Sequence, residues 1–307
     1  MFELSATYTD LYQLTMGQVY FDSGVAEQPV TFDYFFRKTP FDGGFVVFAG
    51  LQDLLKQLQY LRFSSEDLYY LKNQGFDQKY LDHLERFRFR GSIYSCQEGD
   101  VVFPVRPILR VEAGLLEAQL IETLLLNMLN FQSLVATKAA RMRLVAGDRI
   151  LSEFGLRRAQ GLGGYHASRA AVIGGVNSTS NVSAAKGFGL DVTGTMAHAF
   201  IQRYDSEMEA FSAYAETYPD QTVLLVDTYD TLRSGMPNAI RVGQQLKQKG
   251  HTLKGVRLDS GDLAYLSKNA RKMLDEAGLE DTKIVVSNQL DEYVIRSLIQ
   301  QDAPIDI

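Results

Sequence analysis

The stretch Leu253-Lys-Gly-Val-Arg-Leu-Asp-Ser-Gly-Asp262 is an apolar run that ends in charged and polar residues. An amphipathic segment follows at 263–277, so the stretch predicts a strand, a turn and a helix. Strands that alternate with helices are typical of a parallel sheet, and about six at this spacing favour a barrel over an open sheet. Five further apolar runs with helical segments between them lie at 149–154, 190–194, 222–226, 283–286 and 304–307.

The first third of the chain is mixed and rich in aromatic residues. We predict a long helix at 115–145, because apolar residues recur there at helical spacing. Shorter helices are predicted at 64–73 and 77–87, and short strands at 30–36, 44–48, 92–94, 101–105 and 108–111.

These patterns predict an α/β fold with two domains. Residues 1–135 form an N-terminal α+β domain, packed on an irregular, TIM-like α/β barrel at 136–307. The last predicted strand stops at Ile307 without a following helix, and a barrel must close to remove its edges. We therefore expect the barrel to be cut short and the chain to be a C-terminally truncated form of a longer protein.

Composition excludes several classes of protein. The 307 residues carry a net charge of −6 with a pI of about 5.3, which argues against a general binder of nucleic acid or anionic membranes. The single Cys96 rules out an intrachain disulfide and fits a reducing compartment. Residues 1–5 show no start of a signal peptide, and no apolar run reaches the roughly 20 residues of a membrane span. We expect a cytoplasmic protein.

Polar residues end five of the predicted strands. In α/β barrels the active site lies at the carboxyl ends of the strands, so these residues should line one pocket. The five polar stretches are Glu153-Phe-Gly-Leu-Arg-Arg158, Thr193-Gly-Thr-Met-Ala-His198, Asp227-Thr-Tyr-Asp230, Arg257-Leu-Asp-Ser-Gly-Asp262 and Ser287-Asn288.

His198 lies where a predicted strand joins a predicted long helix. Its position is off the apolar stripe of that helix, beside Gln202. One interpretation is a solvent-facing histidine at a helix start. The other is a nucleophile, because a helix N-terminus favours neutral imidazole and stabilises a bound phosphate. Spacing alone leaves both interpretations open.

The charged residues at two other strand ends also allow two interpretations. Arg257 and Asp259 share one strand face. They could bind an anion, ribose hydroxyls or a metal, or they could form a surface salt bridge. Asp227 and Asp230 could hold Mg²⁺ or cap the next helix.

The double arginine and the glycine-rich stretches are weaker signals. Arg157 and Arg158 suit a carboxylate or phosphate, although one of them could pair with Glu153. The stretches at 161–164 and 174–181 resemble loops that cradle phosphates. Neither matches the dinucleotide fingerprint or the Walker loop.

Six stretches together resemble the nicotinate phosphoribosyltransferase family and occur in the family's order. The segment at 91–147 is also similar to the wider group of pyridine phosphoribosyltransferases. The six stretches are Thr9-Asp-Leu-Tyr-Gln-Leu-Thr-Met16, Glu153-Phe-Gly-Leu-Arg-Arg-Ala-Gln-Gly161, Ser178-Thr-Ser-Asn-Val182, Gly194-Thr-Met-Ala-His198, Leu225-Val-Asp-Thr-Tyr-Asp230 and Val256-Arg-Leu-Asp-Ser-Gly-Asp262.

The resemblance implies a reaction and a set of catalytic groups. The family joins nicotinate to 5-phosphoribosyl-1-pyrophosphate and couples this to ATP hydrolysis through a phosphohistidine. His198 would be that histidine, Asp259 would take ribose hydroxyls, and Asp227 would serve the donor or its Mg²⁺. Ser260 and Gly261 would line the substrate site. ATP and Mg²⁺ are thus the expected cofactors, and a homodimer is the expected assembly.

The resemblance also implies how nicotinate is held. Thr195 and Arg257 would bind it, with Arg257 on the carboxylate side, and Arg157 would flank the ring or the phosphates. Tyr12, which alone would be taken for a core aromatic residue, would stack on the pyridine ring, and in a dimer it could serve the neighbouring subunit's site. Ser180 stands where nicotinamide-specific relatives carry an aspartate, which would repel a carboxylate.

Three alternatives remain. Nicotinamide transfer is disfavoured by Ser180, and quinolinate transfer is disfavoured by the stretch that ends at His198, since quinolinate enzymes lack the phosphohistidine. The third alternative is a non-catalytic truncated fragment. The family continues into a Gly-x-Gly-Thr phosphate loop beyond the position where this chain stops, and turnover by the chain would exclude the fragment.

Overall fold

A computed structural model describes residues 4–307. The contacts between Cα atoms divide the chain into two compact units. The first unit holds residues 4–140 and 155–175, and the second holds 141–154 and 176–307. The chain therefore enters the second unit, returns to the first for one short segment, and then completes the second.

The first unit combines helices with two small antiparallel sheets. The strands pair in the orders β1-β5-β3 and β2-β4. The strands are β1 (Pro29–Tyr34), β2 (Val46–Val47), β3 (Ser92–Ser95), β4 (Val101–Val102) and β5 (Leu109–Gly114). The helices are α1 (Leu11–Asp22), α2 (Leu51–Tyr60), α3 (Ser65–Asn73), α4 (Gln78–Glu85), α5 (Leu115–Leu120), α6 (Glu122–Ala146), which runs on into the second unit, and α7 (Gly161–Ile173).

The single helix predicted at 115–145 is wrong at one point, because Ile121 separates α5 from α6. Side-chain contacts with α1 lie beside this break. Gln13 Nε2 donates a hydrogen bond to Glu122 Oε2 at 3.0 Å, and Gln119 Nε2 donates to the same oxygen at 3.1 Å. Helical periodicity reports only local spacing, so it could not reveal contacts with a helix about a hundred residues away.

The second unit alternates short parallel strands with helices. The strands are β6 (Ser152–Glu153), β7 (Ser178–Thr179), β8 (Val223–Leu225), β9 (Gly255–Leu258) and β10 (Lys283–Val286). The helices are α8 (Val182–Phe188), α9 (His198–Ile201), α10 (Glu207–Thr217), α11 (Met236–Gln248), α12 (Leu263–Glu276) and α13 (Glu292–Gln300).

Backbone hydrogen bonds arrange the segments of the second unit in one row. β8, β9 and β10 are parallel neighbours, as are β6 and β7, and Val192 forms a parallel bridge with β7. Asp306 N–H donates to Ile284 O at 3.0 Å, and Ile150 N–H donates to Asp306 O at 3.3 Å. The segment at 304–307 therefore lies between β10 and the residues before β6. Within each of these two groups, successive strands are neighbours in space, as in an α/β barrel.

The α/β class predicted from the sequence is confirmed. The predicted strands at 190–194 and 304–307 hydrogen-bond to β7 and β10 but are not continuous strands. An apolar core fills the second unit and includes the fully buried Leu224, Val256 and Ile284. The helices within the described residues are each too short or too polar to cross a membrane.

The long helix predicted after His198 is wrong. α9 covers only four residues, and α10 begins separately after Ser206, whose hydroxyl accepts a hydrogen bond from Glu209 N–H at 3.2 Å. A serine that caps a helix in this way starts a new one, and Ser206 is the signal that could have revealed the break. The argument from a helix dipole at His198 therefore loses its basis, since four residues align few peptide dipoles.

Candidate active site

His198 lies among three polar side chains at the carboxyl ends of β8 and β9. Its Nδ1 is 3.1 Å from Thr228 Oγ1. Its Nε2 is 3.9 Å from Asp227 Oδ1 and 3.7 Å from Asp259 Oδ2. The side chain is 39% exposed, so an incoming molecule could reach the imidazole. The structure thus brings together three residues that were predicted from distant parts of the sequence.

Asp227 is the buried carboxylate of this cluster, with a side chain only 1% exposed. Its Oδ2 accepts hydrogen bonds from Asp259 N–H at 2.9 Å and from Ser260 Oγ at 2.6 Å. Its Oδ1 is buried and has no hydrogen-bond partner among the described residues. A buried acceptor without a donor is costly, so Oδ1 is a natural point for a cation or an N–H group.

Asp259 forms an ion pair with Arg257, whose Nη2 donates to Oδ1 at 2.9 Å. Burial opposes ionisation of Asp259. The Ser287 hydroxyl, the charge and hydrogen bond of Arg257 and the nearby His198 outweigh burial and lower the pKa of this carboxyl below its usual value. A negative charge therefore persists beside His198.

Arg257 forms hydrogen bonds with several residues of the cluster. Its Nε donates to Ser287 Oγ at 2.8 Å, and its Nη1 donates to Thr195 Oγ1 at 2.8 Å and to Met196 O at 3.3 Å. The guanidinium carbon lies 5.7 Å from the centre of the Phe154 ring, within the range of cation–π attraction. A guanidinium has five N–H donors, and these bonds with the carboxylate bond above use most of them. An incoming carboxylate would take a remaining Nη2 hydrogen or displace Thr195.

The turn after β9 depends on its glycine and its second aspartate. Gly261 has φ +78°, a conformation that L side chains rarely adopt, and an added Cβ would lie 2.9 Å from Leu266 Cδ1. Asp262 then caps α12 by accepting a hydrogen bond from Tyr265 N–H at 3.0 Å. Strand, glycine turn and cap together hold Asp259 and its neighbours at the strand end.

Ser180 lies at the end of β7 and is half-buried. Its backbone N–H donates to Glu153 O at 2.9 Å, and Thr193 N–H donates to Thr179 O at 3.0 Å. Ser180 therefore follows β7 beside the segment that carries Thr195. Its role towards a substrate stays a prediction.

Two predicted site residues, Tyr12 and Arg157, belong to the first unit. Tyr12 lies on α1 with 49% of its surface exposed, so the interpretation as a core aromatic residue is wrong. Arg157 is exposed in a 3₁₀ turn at Leu156–Arg158. Their part in substrate binding stays a prediction.

The two aspartates of the stretch after β8 have different partners. Asp230 Oδ1 accepts hydrogen bonds from Leu232 N–H at 3.1 Å and Arg233 N–H at 2.9 Å, and so caps a π-helical turn at Thr231–Gly235. Asp227 caps none of the described helices, and its Oδ2 accepts hydrogen bonds from Asp259 N–H and Ser260 Oγ instead. Within residues 4–307, no three or more His, Cys, Asp or Glu side chains are grouped to hold a metal ion.

Sequence reasoning missed the roles of Thr228 and Ser287. Both lie in polar stretches predicted at strand ends, Thr228 two residues and Ser287 one residue after a predicted strand, but no local pattern indicated their partners. The other histidines lie elsewhere. His166 Nδ1 is 3.0 Å from Asp53 Oδ2 in the first unit, and His251 Nδ1 is 2.8 Å from Asp220 Oδ1.

Comparison with known proteins connects this geometry to one family. The model described as nicotinate phosphoribosyltransferase (NAPRTase) N-terminal domain matches residues 7–130, and the model described as nicotinate phosphoribosyltransferase (NAPRTase) family matches residues 149–302. The second match alone covers half of the chain and includes the whole cluster around His198.

Individual relatives agree with this result. The chain is 51% identical over 302 residues to the nicotinate phosphoribosyltransferase of Bacillus subtilis (strain 168), an alignment that covers 98% of this chain and 61% of that protein. It is 41% identical over 349 residues to that of Dictyostelium discoideum, covering 97% of this chain and 59% of that protein. The chain thus spans about three fifths of the length of these curated relatives.

The fold agrees as well. The crystal structure of human nicotinic acid phosphoribosyltransferase matches with a TM-score of 0.92 at 35% sequence identity, covering 97% of this chain and 71% of that chain. Since the family model matches half of its residues, the chain belongs to the nicotinate phosphoribosyltransferase family.

Proposed function

We propose that the protein transfers the phosphoribosyl group of 5-phosphoribosyl-1-pyrophosphate to nicotinate, coupled to ATP hydrolysis through a phosphohistidine. The products would be nicotinate mononucleotide and pyrophosphate. The observation that carries the proposal is the cluster in which His198, Asp227, Asp259 and Arg257 meet at the strand ends. Membership of the family supports the choice of reaction.

The surroundings of His198 favour Nδ1 as the phosphoryl acceptor. Two carboxylate oxygens lie within 4 Å of Nε2, so a proton is favoured on Nε2 and the lone pair remains on Nδ1. The same carboxylates would repel a phosphoryl group on Nε2. Nδ1 would attack the γ-phosphorus of ATP, the bond to the β–γ bridging oxygen would break, and ADP would leave. The Thr228 hydroxyl, 3.1 Å from Nδ1, is placed to donate to a phosphoryl oxygen.

In the sugar step, the pyridine nitrogen of nicotinate forms a bond to C1 of the ribose while the C1–O bond to pyrophosphate breaks. The protein mainly positions the reactants and stabilises the charge that develops on the sugar. Asp259 Oδ2, which makes no bond to Arg257, can accept from ribose hydroxyls. Arg257 and Thr195 would hold the nicotinate carboxylate, and the neutral Ser180 would not repel it.

The residues present fit a magnesium ion at Asp227. Its Oδ1 is a buried oxygen acceptor without a hydrogen-bond partner, and Mg²⁺ prefers one or two carboxylates together with substrate phosphates. When bound, the ion would neutralise charge on the pyrophosphate. Ser260, which donates to Asp227 Oδ2, keeps the carboxylate turned so that Oδ1 stays available. Ser260 and Gly261 would also border the ribose.

The proposal includes a homodimer in the cytoplasm, without nucleic acid or membrane as partner. Leu11, Tyr12 and Val19 are exposed on α1, which supports a contact between subunits in which Tyr12 stacks on a pyridine ring. Arg157, exposed on its 3₁₀ turn, would contact the ring or the phosphates.

The test uses ATP labelled at the γ-phosphate. Acid-labile, base-stable label should appear in the wild-type chain and disappear in His198→Ala. The matched control is His251→Ala, since His251 lies outside the cluster beside Asp220. Label that persists in His198→Ala would refute the phosphohistidine.

A second arm of the experiment offers nicotinate or nicotinamide with 5-phosphoribosyl-1-pyrophosphate and separates the products by chromatography. We expect nicotinate mononucleotide from nicotinate. Product from nicotinamide but none from nicotinate would refute nicotinate as the acceptor. Label on His198 without product from either acceptor would favour the fragment that lacks transfer activity.

A further inference from the structure

Ser287 occupies a fixed place at the end of β10. Its backbone N–H donates to Leu258 O at 3.0 Å, which continues the pairing of β9 with β10 by one residue. The next residue, Asn288, has φ +113°, so the chain turns sharply directly after Ser287. The serine hydroxyl is therefore held at the strand end, beside the charged residues of β9.

The hydroxyl joins the two charged side chains of the site. Arg257 Nε lies 2.8 Å from Ser287 Oγ, and Ser287 Oγ lies 2.5 Å from Asp259 Oδ1. A guanidinium has no acceptor and an ionised carboxylate has no donor. The serine must therefore accept from Arg257 and donate to Asp259, and the direction of both bonds is determined by the chemistry of its neighbours.

We propose that Ser287 is a positioning residue that sets the orientation of Arg257 and of Asp259 at the same time. The bond to Nε holds the plane of the guanidinium, which directs Nη1 to Thr195 at 2.8 Å. The bond to Oδ1 leaves Oδ2 turned to His198, at 3.7 Å from Nε2. The consequence for nicotinate binding rests on the proposed function, whereas the orientation of the two side chains does not.

The direct ion pair alone would hold the two groups less well. Arg257 Nη2 and Asp259 Oδ1 are 2.9 Å apart, and one such bond allows the guanidinium to swing about it. The bonds of Nη1 to Thr195 Oγ1 and Met196 O remain without the serine, whereas Nε loses its acceptor, and the ring of Phe154 offers no directional bond. Loss of the serine hydroxyl should therefore be detected most directly at the Nε–H of Arg257, which loses its acceptor.

The experiment compares Ser287→Thr with Ser287→Val, a matched pair that differs in one hydroxyl. The control is Ser267→Ala, because Ser267 is buried and its hydroxyl donates only to a backbone oxygen of α12. Hydrogen exchange of Arg257 Nε–H is measured by NMR in protein labelled with ¹⁵N-arginine, with the resonance assigned by Arg257→Lys. Nicotinate affinity is measured by calorimetry on the same samples.

We expect the Nε–H of Arg257 to exchange about tenfold faster in Ser287→Val than in the wild type, as expected for loss of a hydrogen bond from a charged group. Nicotinate affinity should fall by about tenfold in the same variant. Ser287→Thr and Ser267→Ala should resemble the wild type in both measurements. If Ser287→Val does not fold, Ser287→Ala takes its place.

Unchanged exchange of Nε–H in the variant without a hydroxyl would overturn the proposal, as would equal changes in Ser287→Thr and Ser287→Val. A wild-type chain that binds no nicotinate would instead count against the proposed function. The exchange comparison would still decide the role of Ser287 in that case.

Discussion

Replacement of Asp227 should separate its structural role from its chemical role. Both hydrogen bonds that the carboxylate accepts, from Asp259 N–H and from Ser260 Oγ, end on Oδ2. Oδ1 has no hydrogen-bond partner among the described residues and faces His198 Nε2 at 3.9 Å. Asparagine can therefore place its oxygen at the Oδ2 position and keep both bonds, whereas alanine loses both.

The size of the two effects follows from these contacts. A hydrogen bond to a charged group contributes about 1.5–3 kcal/mol, part of which here offsets the cost of burying the carboxylate. We therefore expect Asp227→Ala to lower the free energy of unfolding by about 2–4 kcal/mol. Asp227→Asn should lower it by less than about 1 kcal/mol, because the two donors remain paired.

The assay has two parts. Urea unfolding at pH 7 gives the free energy of unfolding of each variant, and an unchanged dependence on urea concentration shows that the variants unfold alike. Label transfer from γ-labelled ATP then measures the reactivity of His198. We expect Asp227→Asn to be nearly as stable as the wild type but to lose most of the label.

Two results would refute this reasoning. If Asp227→Asn is as unstable as Asp227→Ala, the two bonds to Oδ2 are not what the carboxylate contributes to stability. If Asp227→Asn takes up label like the wild type, the negative charge of Asp227 is not required beside His198, where that of Asp259 remains.

Two further predictions concern stability alone. Gly235→Ala would place a Cβ against the backbone oxygen of Val226, so it should lower the free energy of unfolding by about 3 kcal/mol or more. The control is Gly44→Ala, where an added Cβ meets no atom within 4 Å and the change should be less than about 0.5 kcal/mol. Equal effects of the two substitutions in urea unfolding would contradict the close approach at Gly235. Burial raises the pKa of Asp53, but the hydrogen bond and charge of His166 hold it below its usual value, so the stability that this carboxylate adds is present above the unfolded pKa of about 3.9 and is lost as pH falls through the folded pKa. Asp53→Asn should therefore be about 2 kcal/mol less stable than the wild type at pH 7, and this difference should shrink as pH falls below about 4. A difference in the free energy of unfolding that stays constant from pH 7 to pH 3 would contradict the lowered pKa of Asp53.

Local sequence patterns were sufficient to predict the α/β class and the strand ends that carry the site. Apolar runs alternate with amphipathic segments, and those at 253–258 and 283–286 contain strands of the structure. The turn after β9 was also predicted from the sequence, and in the structure Gly261 adopts a positive φ there and Asp262 caps α12. Such features depend on interactions within a few residues, which periodicity and turn chemistry report directly.

Only the tertiary structure decided how the site side chains pair. Arg257 bonds to Thr195 across 62 residues and to Ser287 across 30, and Asp227 bonds to Ser260 across 33. These contacts depend on which strands are neighbours and in which register, and no local pattern contains that information. The sequence by itself determined which residues with suitable chemistry stand at the strand ends. The packing of strands from distant parts of the chain decided which carboxylate faces His198 and which hydroxyl orients Arg257.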